Sequence, residues 1–298
     1  MLTDYHVHLR ADDLDARAAD NFTSANARRY REAASARGIS ELGVSEHVYR
    51  FREALAIWEH PFWVQNAIDD LIAYCAFVRE QTDLKLGLEV DYIPGREAQT
   101  RQLLERLELD YVIGSVHFVP LAGGGVGAVD MAEHGVWSSG AGPEEVWSAY
   151  FTTLGQAAAS GLFDILAHVD LVKVFSAGER RPQGDLRRFY ELALPAIIGS
   201  GVAVELSTAG LRKPCAELYP SRELLELLVA GGAPIALSSD AHRAQDLGYR
   251  YERALALLSE LGVQELCVFE RRRRSLAPIG APGGAAAEDA AIAAGEGT

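Results

Sequence analysis

A chain of 298 residues, 49% hydrophobic and 23% charged, has room for one large globular domain, since α/β barrels exceed the usual domain size as single units. A formal net charge of −14 argues against sequence-independent nucleic-acid binding, which needs clustered Lys and Arg; small anionic substrates stay open because a metal ion reverses the local potential. Three scattered cysteines (Cys75, Cys215, Cys267) give no disulfide framework; with no signal-peptide pattern and no apolar run near the roughly 18–20 residues that cross a bilayer, a cytoplasmic protein is expected.

Taken in order, a first strand covers residues 2–9 and an acidic, turn-like stretch covers 10–20. A helix runs from Thr23 or Ser24, both suitable N-caps, to Arg37, and Gly38 stops it. The second strand, 41–47, opens into a long connection holding Tyr49, Phe51, Trp58, His60, Phe62 and Trp63. Such aromatic density past a strand end reads either as a substrate wall or as packing on the barrel exterior. A helix over 66–80 repeats apolar residues at Ile68, Leu71, Ile72, Cys75, Phe77 and Val78, suited to a sheet face.

Strand 84–93 is ended by Pro94-Gly95, and helix 96–107 leads to strand 111–118. A glycine-rich loop (120–126) and an irregular segment to 143 precede helix 144–160. Strand 163–172, helix 186–200 and strand 202–207 follow, then a loop with Thr208, Gly210, Arg212 and Lys213. Helix 221–230, strand 233–237, helix 251–261 and a short strand at 266–269 complete the pattern. Strands alternating with helices predict repeated βα units and a mainly parallel sheet, hence class α/β. The four arginines at 271–274 read as the solvated end of the last element, and the Ala/Gly/Pro/Glu-rich residues 277–298 as a disordered tail behind a domain of residues 1–276.

Six of these strands end in nitrogen or carboxylate ligands: Tyr5-His6-Val7-His8, Gly43-Val44-Ser45-Glu46-His47, Leu86-Gly87-Leu88-Glu89-Val90-Asp91, Ile113-Gly114-Ser115-Val116-His117, Ile165-Leu166-Ala167-His168-Val169-Asp170 and Ser238-Ser239-Asp240-Ala241-His242. Side chains on a strand alternate, so His6 and His8 share a face, as do Asp240 and His242. Either pair alone is weak evidence. Six of the eight histidines, however, lie at strand ends, with Glu89 in the equivalent place on the third strand. In a parallel barrel those ends share one mouth. So many buried imidazoles and carboxylates there need a common partner, and metal ions supply it. His60 and His134 read as surface or rim residues. Asp91 and Asp170 read either as groups orienting an imidazole or as turn starts, and Glu46, facing the other way, as a supporting residue.

In this order the motifs resemble those of the PHP (polymerase and histidinol phosphatase) family, and Ser207-Thr208-Ala209-Gly210-Leu211-Arg212-Lys213-Pro214 is similar to its histidinol-phosphatase branch. The resemblance implies a distorted (β/α)7 barrel with a trinuclear metal centre at the C-terminal mouth. By that resemblance His6, His8, Glu89 and Asp240 hold one ion, and Glu89 bridges to a second completed by His117 and His168. The third ion takes His47, His242 and a side chain soon after the first strand. Where the family commonly has a His or Asp in a short loop, this chain offers Asp12, Asp13 or Asp15, of which Asp12 is chosen.

Mixed imidazole and carboxylate ligands suit two or three divalent ions (Zn, Mn or Fe) and hydrolysis of a phosphate ester. Turnover is expected to depend on Glu89, Asp240 and His242. Arg212 is the first candidate to clamp the phosphate, with Lys173 and Arg50 further candidates; each is otherwise an ordinary surface charge. The resemblance implies L-histidinol phosphate as substrate, in histidine biosynthesis. Another phosphomonoester (phosphotyrosine, sugar phosphate or nucleotide), or a non-catalytic metal-binding relative, is the alternative. The expected partner is a small phosphorylated molecule, with neither nucleic acid nor membrane.

Overall fold

The computed structural model describes residues 1–12, 16–131 and 134–280. Its strands are β1 (Thr3–Asp4), β2 (Glu41–His47), β3 (Lys85–Asp91), β4 (Tyr111–Ser115), β5 (Phe118–Pro120), β6 (Val126–Ala128), β7 (Ile165–Leu166), β8 (Ala203–Ser207), β9 (Ile235–Ser238), β10 (Glu265–Glu270) and β11 (Arg273–Pro278). Seven of them form one sheet in the order β1-β2-β3-β4-β7-β8-β9, every pairing parallel. The sheet curls until β9 meets β1. There Val7 pairs with Ala241, the Ala241 N–H donates to the His6 carbonyl (3.1 Å) and the His8 N–H to the Ala241 carbonyl (2.8 Å). The expected parallel barrel is therefore present and nearly closed.

One end of this barrel is plugged. Tyr111 lies across β2 and β3, where a Cβ on Gly43 would meet its hydroxyl at 2.4 Å and one on Gly87 its ring at 2.3 Å, so both positions require glycine. Its hydroxyl donates to the Tyr5 carbonyl (2.6 Å), and Tyr5 packs edge-on against Phe269 of β10. The antiparallel hairpin β10–β11 thus seals the N-terminal ends of the strands and leaves their C-terminal ends for a site.

Arg271, Arg273 and Arg274 are exposed, in line with the reading of a solvated end, but Arg272 takes part in this seal. Arg271 and Arg272 form the hairpin turn at φ +46° and +61°, a region usually left to Asn or Gly. The Arg271 and Arg272 N–H groups donate to Asp110, and the Arg272 guanidinium reaches Asp164 Oδ2 (2.8 Å) and the Leu162 carbonyl (2.6 Å). β11 continues to Pro278, two residues past the expected domain end, while residues 281–298 of the expected tail lie outside the described residues.

Helices cover the barrel between strands. Thr23 caps Ser24–Ala36 by accepting from the Asn26 N–H (3.2 Å), as its residue type suggests. The helix expected over 66–80 is instead two helices, Pro61–Asn66 and Leu71–Gln81, the second capped by Asp70. The break resets the phase, so Leu71, Tyr74, Phe77 and Val78 face the sheet while Ile68 and Ile72 are exposed. Among the described residues no helix is long and apolar enough to cross a membrane.

Candidate metal centre

At the open mouth each strand delivers its ligands in register. His6 and His8 flank Val7, whose own side chain packs outward, so the two rings emerge together, 5.2 Å apart. His47 and Glu89 are direct partners across β2 and β3, with His47 Nδ1 2.6 Å from Glu89 Oε2. Glu89 sits at the centre: its carboxylate lies 3.2 Å from His6 Nε2, 3.5 Å from His8 Nε2, 3.5 Å from His117 Nε2 and 3.3 Å from His168 Nε2. Asp240 Oδ1 approaches His8 Nε2 (3.5 Å) and His242 Nδ1 (3.4 Å) from the β9 side. The ligand atoms of His6/His8/Glu89, Glu89/His117/His168, His6/His168/Asp240 and His8/His47/His242 each lie within 4.8 Å of one another.

These groups fit metal ions. His6 Nε2, both His8 ring nitrogens and Asp240 Oδ1 are buried and make no hydrogen bond, a concentration of orphaned polar atoms that native interiors avoid unless another partner takes them. His47 and His242 face each other Nε2 to Nε2 at 3.4 Å. The far sides of the rings are anchored. His6 Nδ1 meets Glu205 Oε1 at 2.7 Å and His117 Nδ1 meets Asp91 Oδ1 at 2.6 Å, which puts the proton on Nδ1 and turns the Nε2 lone pair inward. Divalent ions with mixed nitrogen and oxygen ligands suit such a donor set.

The charges are mutually adjusted. Burial opposes ionisation of Glu89, but the imidazoles of His47, His6 and His117 outweigh it and hold the carboxyl well below the usual range. Asp240 is held down in the same way, by His6, His8 and His242. The two histidines of the first motif diverge. Burial works against charge on His6, but Glu205, Glu89 and Asp240 raise it well above an ordinary imidazole, whereas burial and the neighbouring His242 and His47 push His8 well below. Against burial, His117 is pushed up to about 10 by Asp91 and Asp130.

Two ligands sit in strained backbone, His168 at φ +25° and Asp240 at φ +50°. Long-range hydrogen bonds hold them there. The His168 N–H donates to Glu205 Oε2 (2.8 Å) and its carbonyl accepts from the Tyr150 hydroxyl (3.0 Å). Arg212 Nη2 donates to the carbonyls of Ser239 (2.9 Å) and Asp240 (3.0 Å).

The PHP domain model matches residues 4–209, which hold all the ligands except Asp240 and His242. The chain belongs to the PHP family. A Deinococcus radiodurans protein named "Probable histidinol-phosphatase" is 33% identical over 239 residues, 79% of this chain and 87% of that protein. The Bacillus subtilis protein named "Histidinol-phosphatase" is 27% identical over 250 residues, 76% of this chain and 91% of its own. A solved structure of the Lactococcus lactis histidinol phosphate phosphatase, complexed with zinc, L-histidinol and phosphate, superposes with a TM-score of 0.63 at 20% identity, covering 92% of this chain and 98% of that one.

Within this PHP barrel, His6, His8, His47, Glu89, His117, His168, Asp240 and His242 are brought together as their strand positions suggested. Asp12 joins them: it is about half exposed (56%), with Oδ2 3.0 Å from His242 Nε2 and Oδ1 3.9 Å from His47 Nε2. Asp13 and Asp15 lie outside the described residues. Asp91 orients His117, whereas Asp170 instead accepts from the Ser221 N–H (2.7 Å) and meets Lys173 (2.9 Å). Glu46 accepts from the Leu9 and Arg10 N–H groups and from Arg50, supporting the turn after the first strand.

The cationic candidates are placed differently. Arg50 lines a cavity of about 340 Å³ over the ligands, paired with Glu46 and Asp12. Lys173 points away from it, its ammonium taken by Asp170, Glu217 and the Leu218 carbonyl (2.6 Å). Arg212 lies behind the Asp240 turn it holds; its neighbour Lys213 is the one that lines the cavity. The aromatic connection splits, with Tyr49 and Phe62 in the cavity wall and Phe51 and Trp63 in the core. Sequence reasoning missed Glu205, whose signal was present: a charged residue inside the apolar strand Ala203-Val204-Glu205-Leu206 must find a buried partner.

Proposed function

We propose that this chain is a metal-dependent phosphomonoesterase that hydrolyses L-histidinol phosphate to L-histidinol and phosphate. The observation that carries the reaction class is the set of four overlapping ligand groups, two of them sharing Glu89, along an open cavity. The names of the Deinococcus and Bacillus relatives, and the zinc, L-histidinol and phosphate in the Lactococcus structure, support the substrate.

His6, His8, Glu89 and Asp240 would hold one divalent ion, Glu89, His117 and His168 a second, and His47, His242 and Asp12 a third, with Zn, Mn or Fe each compatible. When bound, such ions make water nucleophilic near neutral pH and offset the charge of a phosphate ester. The protein's own part is orientation. Glu89 and Asp240 stay ionised, and Asp91 and Glu205 keep the His117 and His6 rings turned inward. Lys213 and Arg50 line the cavity; Lys213 would meet the phosphate oxygens, while Arg50, whose two arms are held by Glu46, the Arg10 carbonyl and Asp12, would add its charge beside them. Catalysis should depend on Glu89, Asp240 and His242. The same reading places the protein in the cytoplasm, supported by three unpaired cysteines, with a small phosphorylated molecule as its partner.

Phosphate release from L-histidinol phosphate tests it, using chelator-stripped protein before and after Zn or Mn is restored. Metal-restored turnover is expected. Cleavage of 4-nitrophenyl phosphate but not L-histidinol phosphate would refute the substrate, and cleavage of neither would refute the reaction class.

A further inference from the structure

Among the described residues four carboxylates line the cavity: Asp12, Glu89, Asp130 and Asp240. Glu89 and Asp240 belong to the ligand groups, and Asp12 is taken by His242 and Arg50. Asp130 belongs to no ligand group; the charge it faces is that of His117, an imidazole that is neutral when it holds an ion. Asp130 follows the small hairpin of β5 and β6, and the Val129 N–H donates to the His117 carbonyl (2.8 Å), which fixes the next residue beside the ligand strand. Its Oδ1 is buried and makes no hydrogen bond, and no described Lys or Arg pairs with it. A partly buried carboxylate left this way is costly until a cation meets it. The same cavity also has apolar lining from Met131, Leu171, Val174 and Phe175. The cavity's cations are otherwise committed or separate: Arg10 is paired with Asp69, Arg50 with Glu46 and Asp12, and Lys213 lies on the loop after β8.

We propose that Asp130 binds the protonated amine of the substrate, while the apolar side chains of the same cavity pack on the carbon chain and ring. The inference rests on the phosphomonoesterase reading above and deepens it. The cavity then offers the ligand cluster and cations for the dianionic phosphate, and beside His117 a carboxylate oxygen with no hydrogen-bond partner for the opposite charge. Asp130 is a specificity-determining residue, and the substrate class is the phosphate monoester of an amino alcohol rather than a phosphate monoester at large.

The test compares L-histidinol phosphate with its deamino analogue, 3-(imidazol-4-yl)propyl phosphate, in the wild-type enzyme and in Asp130→Asn, with metal content measured on both. Wild type should prefer the amine in kcat/KM by roughly 10- to 100-fold, the worth of a hydrogen bond to a charged group. Asp130→Asn should lose that preference through a higher KM for L-histidinol phosphate, with the analogue's constants and the metal content unchanged. Calorimetry should show L-histidinol binding weakened by a similar factor and inorganic phosphate binding unaltered. Equal losses on both substrates, a lower metal content, or a wild type indifferent to the amine would each overturn the assignment. A wild type inert to L-histidinol phosphate overturns the substrate reading and the assignment together; an active one whose preference survives Asp130→Asn overturns the assignment alone.

Discussion

Glu205→Gln isolates a residue that touches no reacting atom yet should govern the ions. The carboxylate sits fully buried on β8, with one oxygen 2.7 Å from His6 Nδ1 and the other 2.8 Å from the His168 N–H. Both partners are donors, and a carboxylate satisfies both. An amide of the same shape accepts from one and turns its own NH2 on the other. One charge-assisted hydrogen bond is then lost, about 1.5–3 kcal/mol. At about 1.4 kcal/mol per decade this becomes roughly 10- to 100-fold weaker ion binding, the range seen when a group supporting a metal-ligating histidine is removed. His6 and His168 each occur in two ligand groups, so more than one ion should be affected. The assay titrates chelator-stripped protein with Zn against a chromophoric competitor, and thermal unfolding of the metal-free proteins controls for folding. Wild-type affinity in a folded Glu205→Gln protein would refute the reasoning, because it would mean that the orientation of His6 and His168 does not depend on this carboxylate.

Glu89→Ala should cost the most of any single change at the site: fewer ions retained by elemental analysis and phosphatase activity at background, since this carboxylate is shared between ligand groups. Lys213→Ala should raise KM about fivefold with kcat nearly unchanged, as an exposed cation contributes about 1 kcal/mol or less; an unchanged KM removes it from phosphate binding. At Asp110, burial disfavours the charge, but Arg79 (2.7 Å) and the N–H groups of Leu86 and Arg271 outweigh it and depress its pKa, so its stabilising effect is full above the unfolded value of about 3.9 and is lost as pH falls through the folded one. Asp110→Asn should therefore lose about 1–3 kcal/mol in urea unfolding at pH 7, and the gap to wild type should close toward pH 3.

What the sequence made legible follows from how side-chain direction is set. On a strand, period two sets it locally, so His6 and His8, or Asp240 and His242, could be assigned to one face from spacing alone, and the apolar runs before them showed which end was the mouth. Glu205 obeys the same period but stands alone in its strand, and one charge in an apolar run says that a partner exists without saying which. Off the strands the local rule ends. Arg271 and Arg272 look like surface charge because nothing nearby announces a turn; Asp110 and Asp164, more than 100 residues away, create it by hydrogen bonding.

Lys173, Arg212 and Lys213 make the same point inside the site. Each is a cation a few residues past a strand end, and spacing cannot rank them. The structure separates them by what competes for their donors. Asp170, Glu217 and the Leu218 carbonyl occupy the Lys173 ammonium, and two main-chain carbonyls occupy one arm of Arg212. Lys213 keeps its charge for the cavity. The arm of Arg212 that binds the Asp240 carbonyl does structural work: it holds a candidate metal ligand at φ +50°, a geometry that an ordinary residue leaves when nothing restrains it. A family resemblance supplies the ligands in order, but which cation meets the phosphate is decided by contacts between elements distant in the chain, and those become visible only when the barrel is closed.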